Sequence, residues 1–162
     1  MKHRDWGNVE EDWAGFSSDV TFSNPFFDQQ HIEIFLGDEF DEDGEEIEDL
    51  PTETQLTEFA ETYQNFIDNL ETIITNIQEK AFERYIKLYA HYYEYQEKSG
   101  KPALNIDSVE KHNVHIRELM YLRVLNEKII KLSIRYALDT EHGLEFKIVD
   151  GQINDIGGIA ET

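Results

Sequence analysis

The chain reads as an α+β protein: two long central helices packed against N-terminal strands and a C-terminal antiparallel β-meander. Two observations carry this. Residues 52–98 repeat apolar and aromatic side chains every three or four positions, the spacing of one helix face. On either side, residues 16–36 and 120–149 alternate apolar with polar side chains or are rich in branched ones, as half-buried strands are. Strands grouped before and after a helical block are the segregated order of an α+β architecture. Neither an internal repeat nor a linker divides the 162 residues, so a single domain is expected. Its parts are strands and an acidic hairpin over 1–51, helices over 52–98, and a short helix with the meander over 106–158.

In chain order, residues 1–15 hold Trp6 and Trp13 among acidic and small residues with no period, which reads as a loose start anchored by two indoles. Residues 16–22 and 31–36 are predicted strands, since Phe16, Val20 and Phe22 share one parity and Ile32, Ile34 and Leu36 another. Asn24-Pro25 supplies the turn between them. Residues 37–50 then crowd Asp38, Glu39, Asp41, Glu42, Asp43, Glu45, Glu46, Glu48 and Asp49 around Gly44. Asp43-Gly44 is a hairpin dipeptide, and residues 46–48 can return as a short strand. A calcium loop centred on Gly44 would need Asp first and Glu twelfth, where Glu39 and Leu50 stand. An exposed acidic hairpin is the expected form.

Pro51 precedes Thr52, and Gln55 follows three residues later, the spacing of a capping box. A single helix over residues 52–98 would run about 70 Å, twice the width of a small domain. The cap-type residues Asp68 and Asn69 place a break there, and the second helix is predicted over residues 69–98. The tyrosines of this second helix are read as wrapping the sheet with their hydroxyls at its rim; a ligand or partner surface is the other reading.

Ser99-Gly100-Lys101-Pro102 ends the helical block, and Asp107 or Ser108 caps a short helix reaching Asn113. His112 and His115 are spaced to share a helix face, but no third ligand accompanies them at a zinc-site spacing. Residues 120–125, 129–137 and 144–149 read as three antiparallel strands joined at Asn126-Glu127 and through residues 139–143. Asp150-Gly151 turns the chain for a brief return over residues 152–156, and Gly157-Gly158 is expected to end the ordered chain.

Charge is the most informative part of the composition. Thirty-five acidic against 14 basic residues give a formal charge of −21. That argues against nucleic acid and against anionic membrane surfaces, both of which are held by lysine and arginine. A basic protein partner is the natural complement, since opposite fields speed encounter and reject wrong partners; solubility alone also accounts for the charge. The absence of cysteine excludes disulfides and thiolate metal sites. Without a membrane-spanning apolar run or a signal-like start, a cytoplasmic location is expected.

No phosphate-cradling glycine loop, Gly-x-Ser-x-Gly elbow or His-Glu-x-x-His pair is present, so no cofactor and no enzymatic activity are expected. The most particular motif is Asp139-Thr140-Glu141-His142-Gly143-Leu144, followed by an alternating strand and Asp150-Gly151. It can be a structural turn, with Gly143 at positive φ and His142 bonded to backbone or carboxylate. Alternatively Asp139, Glu141 and His142 form a metal or general-base cluster.

This segment resembles the C-terminal signature of a family of uncharacterised bacterial domains, in which an Asp-x-Glu-His-Gly-Leu turn leads into the last hairpin. Trp13-Ala14-Gly15 and Gln55 resemble two further features of that group, whereas Ala137-Leu138 depart from the tryptophan or acidic residue common before its turn. The resemblance implies no established activity. Some relatives are suspected antitoxin or immunity proteins, and the resemblance hence implies a non-enzymatic interaction protein here. A metal-dependent hydrolase using Asp139, Glu141 and His142 is the alternative, and an acidic domain without either role the remaining one.

Overall fold

The computed structural model describes residues 1–162. Eight strands form one sheet in which spatial order follows chain order: β1 (Lys2–His3), β2 (Gly7–Asp12), β3 (Gly15–Phe22), β4 (Ile32–Leu36), β5 (Leu119–Leu125), β6 (Ile129–Ile134), β7 (Leu144–Val149) and β8 (Gln152–Gly157). Every neighbouring pair is antiparallel except β4 with β5, which is parallel, with Ile34 opposite Leu122 and Leu36 opposite Val124. A parallel neighbour demands a long crossover, and the helical block is that crossover. The α+β class therefore holds, but the N-terminal strands and the meander are two halves of one sheet.

The crossover contains α1 (Glu53–Asp68), α2 (Leu70–Leu88), α3 (Ala90–Tyr93), α4 (Gln96–Ser99) and α5 (Val109–Asn113). α1 begins at the expected capping box: Gln55 N–H donates to Thr52 Oγ1 at 3.1 Å, and Thr52 N–H donates to Gln55 Oε1 at 2.9 Å. The break falls at Asn69 as expected, but Asn69 does not cap α2: its side chain donates back to Asn65 O at 2.8 Å and Asn65 Oδ1 at 3.1 Å. The second helix stops ten residues short of the expected end. Tyr89 and Tyr93 are drawn to the loop after β6, where their hydroxyls donate to Asp139 and to the Leu138 carbonyl. Glu94 then accepts from Asn105 and Ile106 N–H at 2.7 and 3.1 Å, and from the Tyr85 hydroxyl, folding the chain back on α2. A run of aromatics with modest helix propensity yields to these tertiary bonds.

One sheet face packs on the helices through a core of 26 buried residues, including Ile34, Leu122, Leu132 and Phe146 in one cross-strand row against Leu56, Phe66, Ile73 and Ile77. The other face carries Phe35, Arg123, Lys131 and Lys147 in the adjacent row.

Three expectations need correction. Residues 1–15 are a strand pair rather than a loose start, with Trp6 buried and its Nε1 donating to Leu56 O at 2.9 Å. The acidic hairpin has a single bridge, Phe40 to Glu46, in place of a return strand, because repulsion among its carboxylates opposes a longer ladder. The return expected over residues 152–156 is β8, paired with β7, but the ordered chain does not end at Gly158: Ile159 N–H donates to His142 O at 2.8 Å, and Lys131 Nζ to Thr162 O at 2.7 Å.

Candidate functional site

The 139–144 turn is a clamp between helix and sheet. Asp139 accepts from the Tyr89 hydroxyl at 2.8 Å and from His142 N–H at 3.2 Å, and both its oxygens lie 3.0–3.1 Å from His142 Nδ1. Burial acts to raise the Asp139 carboxyl, but the Tyr89 and His142 bonds together hold it below the usual carboxylate range. The same bond to Asp139 raises His142. Gly143 has φ +67°, and Glu141 is exposed and bonded to none of them. No three His, Asp or Glu side chains in the chain converge as metal ligands. Beside the turn lies a cleft of about 380 Å³, lined by Met120, Arg135, Thr140, Glu141, His142, Ile159 and Glu161 among others.

His112 and His115 are not a pair of ligands facing water. His112 is fully buried, its Nε2 2.7 Å from the Tyr136 hydroxyl, and burial pushes its pKa down to about 4.

The acidic segment is held by one of its own carboxylates. Asp41 Oδ1 accepts from the N–H groups of Asp43 and Glu45, both at 2.9 Å, while Ile47 N–H returns to Glu39 O. This leaves Asp38, Glu42, Asp43, Glu45 and Glu46 exposed and Glu39 half-buried. Between His31 and Lys80 the sequence contains no basic residue at all. The hairpin and α1 therefore carry carboxylates with no lysine or arginine of their own, and cations near them, Arg123 at the hairpin's base and Lys128 at the cleft, come from β5 and the turn after it.

Two adjoining clefts open at this end of the sheet. One, of about 440 Å³, has Phe59 and Leu125 on its floor and Glu58, Glu61, Glu127 and Asp150 around it, with one cation, Lys128, whose Nζ lies 4.0 Å from Asp150 Oδ1. The second, of about 310 Å³, is lined by Leu36, Asp38, Ile47, Asp49, Leu50 and Gln55 among others, and shares Phe59 and Asn126 with the first. Glu127 and Lys128 take φ of +63° and +61°, the turn geometry that joins β5 to β6 and sets Glu127 on the rim. Apolar floor and carboxylate rim together suit the aliphatic stem and charged head of lysine or arginine.

One constellation has only a faint signal in sequence. Arg123, a lone cation within the apolar strand β5, donates from Nη2 to Ala14 O at 2.7 Å and from Nη1 to Gly37 O at 2.9 Å. Its guanidinium lies 5.0 Å from the Phe35 ring centroid. It thereby ties the β2–β3 turn, which bears Trp13, to the base of the acidic hairpin.

Fold and surface thus define an acidic α+β domain with a mixed meander sheet and a carboxylate-rich end. The chain belongs to the DUF6985 family, a domain of unknown function whose profile matches residues 5–161. No curated protein and no solved structure matches it. No helix is long and apolar enough to cross a membrane.

Proposed function

We propose that the chain is a non-enzymatic interaction protein whose acidic end receives a basic protein partner, most concretely a toxin neutralised in the manner of an immunity protein. The observation that carries this is the pair of adjoining clefts, with apolar side chains in the floor and four carboxylates against one lysine, Lys128, around the larger, beside a hairpin whose exposed carboxylates have no counter-charge in the surrounding sequence. Such a field speeds encounter and selects cationic surfaces, while the apolar floor supplies contact area that charge alone lacks. The immunity assignment draws on the resemblance of the 139–144 turn to a family of uncharacterised bacterial domains, some members of which are suspected of that role, and the cytoplasmic location is proposed with it. The hydrolase reading has less behind it. Both Asp139 oxygens are already engaged by Tyr89 and His142, and Glu141 points to no shared centre.

The test is capture of a partner from the source cell at low salt, followed by rate measurements on the purified pair. The association rate is expected to fall steeply as salt rises past about 0.15 M, where the screening length shortens to about 8 Å. Replacing Asp41, Glu42, Asp43, Glu45 and Glu46 by Ser and Asn is expected to slow association more than it lowers the melting temperature. A partner without a basic surface, or an association rate indifferent to salt, refutes the proposal.

A further inference from the structure

Trp13 has none of the burial expected of a structural tryptophan: it is 63% exposed, whereas Trp6 is 1% exposed. Its ring is nevertheless fixed. The indole Nε1 donates to Glu33 Oε1 at 2.9 Å, and the ring meets Phe35 and Tyr121 edge-on at 5.3 and 5.5 Å. Asp12 stands beside it, accepting from Trp13 N–H at 2.7 Å and from the Ser17 hydroxyl at 3.1 Å. A large side chain ordered in advance adds little entropic cost when a partner arrives. Through Arg123 the same turn is tied to Gly37, the first residue of the acidic segment. A Cβ built on Gly15 would lie 3.8 Å from Glu39 Cα, so the tryptophan turn and the acidic hairpin are adjoining surfaces.

We propose that Trp13 anchors the partner interface: a basic segment of the partner protein lays a lysine or arginine side chain across the exposed indole face, where Asp12 and Glu33 receive its charge. This rests on the acidic-end reading above and adds its central contact. The indole face attracts cations through its quadrupole, and neighbouring carboxylates supply charge-assisted bonds to the same group. The −21 field repels anions from this surface. A tryptophan flanked by polar side chains is also the composition in which interface energy concentrates. A second copy of this chain is the poorer occupant, since it brings the same net charge.

The probe is a nona-arginine peptide, with a Gly/Ser peptide of equal length as control, titrated at about 0.15 M salt, near the physiological ionic strength. Trp6→Phe leaves Trp13 as the sole indole for fluorescence, and calorimetry on the otherwise unaltered chain gives the same isotherm without that substitution. Nona-arginine is expected to change Trp13 emission saturably and the control peptide to leave it unchanged. Trp13→Ala, and separately the Asp12→Asn/Glu33→Gln pair, are expected to weaken binding about tenfold or more with unchanged circular dichroism. If the hairpin substitutions abolish binding while Trp13→Ala leaves it intact, the anchor is wrong and the acidic-end reading survives. Failure of nona-arginine to bind at all overturns both. A dimer in sedimentation that Trp13→Ala dissolves assigns the indole to a second copy and also overturns the proposal.

Discussion

Gly143→Ala probes the 139–144 turn at the point where structure leaves least room. Gly143 sits at φ +67°, a left-handed conformation that costs an L side chain about 1–2 kcal/mol. An added Cβ would also lie 2.5 Å from Ile159 Cδ1, 2.9 Å from Ile159 Cγ1 and 3.2 Å from the Ile134 carbonyl oxygen. Ile159 can shift, but the Ile134 carbonyl belongs to β6 and cannot, so overpacking adds about 1–3 kcal/mol. The sum, about 3 kcal/mol, corresponds to a fall of about 6–12 °C in melting temperature for a chain of this size. Urea unfolding followed by circular dichroism measures it. In an Ile159→Ala background the Ile159 share of the crowding disappears while the Ile134 carbonyl contact remains, so Gly143→Ala is expected to cost less than in the parent chain but no less than the backbone share of about 1–2 kcal/mol. A loss below about 0.5 kcal/mol in the parent chain would refute the reasoning, because neither backbone strain nor crowding would then be real.

His112 sets a pH dependence. Its folded pKa, about 4, lies below the ordinary 6.5, so the unfolded chain binds the proton first as pH falls. Its contribution is complete above about pH 6.5 and is lost as pH falls toward 4, at up to about 1.4 kcal/mol per pH unit. Unfolding at pH 7, 5.5 and 4.5 should show a flatter profile in His112→Phe than in the parent; parallel profiles would contradict the assignment. Glu94→Gln is expected to cost about 1–3 kcal/mol, because the Tyr85 hydroxyl and the N–H groups of Asn105 and Ile106 all depend on that carboxylate. Faster hydrogen exchange at Asn105 and Ile106 is the direct measure, and unchanged exchange would count against the bonds.

What could be read from the sequence was local. The capping box at Thr52 is legible because its two residues stand three positions apart, and the break at Asn69 falls where cap-type residues stand although Asn69 makes no side-chain cap to α2. The end of α2 was not, since its cause is a bond from Tyr89 to Asp139, 50 residues away. The β1–β2 pair escaped because β1 has two residues and β2 is Gly-Asn-Val-Glu-Glu-Asp, too short and too acidic to show alternation. At the candidate site, the acidic hairpin could be read from composition, whereas the clefts beside it require Phe59, Leu125 and Asp150 from three separate elements. Arg123 was the one visible hint of the Trp13 surface, a charge where the strand pattern wanted an apolar residue or a short polar one.

The parallel pairing of β4 with β5 bears on how the chain reaches its native state. Strands β1 to β4 and β5 to β8 are each joined by short connections, and their pairings are close in sequence. The seam between them closes a loop spanning residues 37–118, at an entropic cost of about 4 kcal/mol that grows only slowly with loop length. Two locally zipped ribbons therefore wait on one distant docking event, with the helices carried inside the loop to cover the joint. Until then each ribbon exposes the row that becomes the core and an unpaired edge at Leu36 or Leu122, the edges most open to strand exchange with another chain.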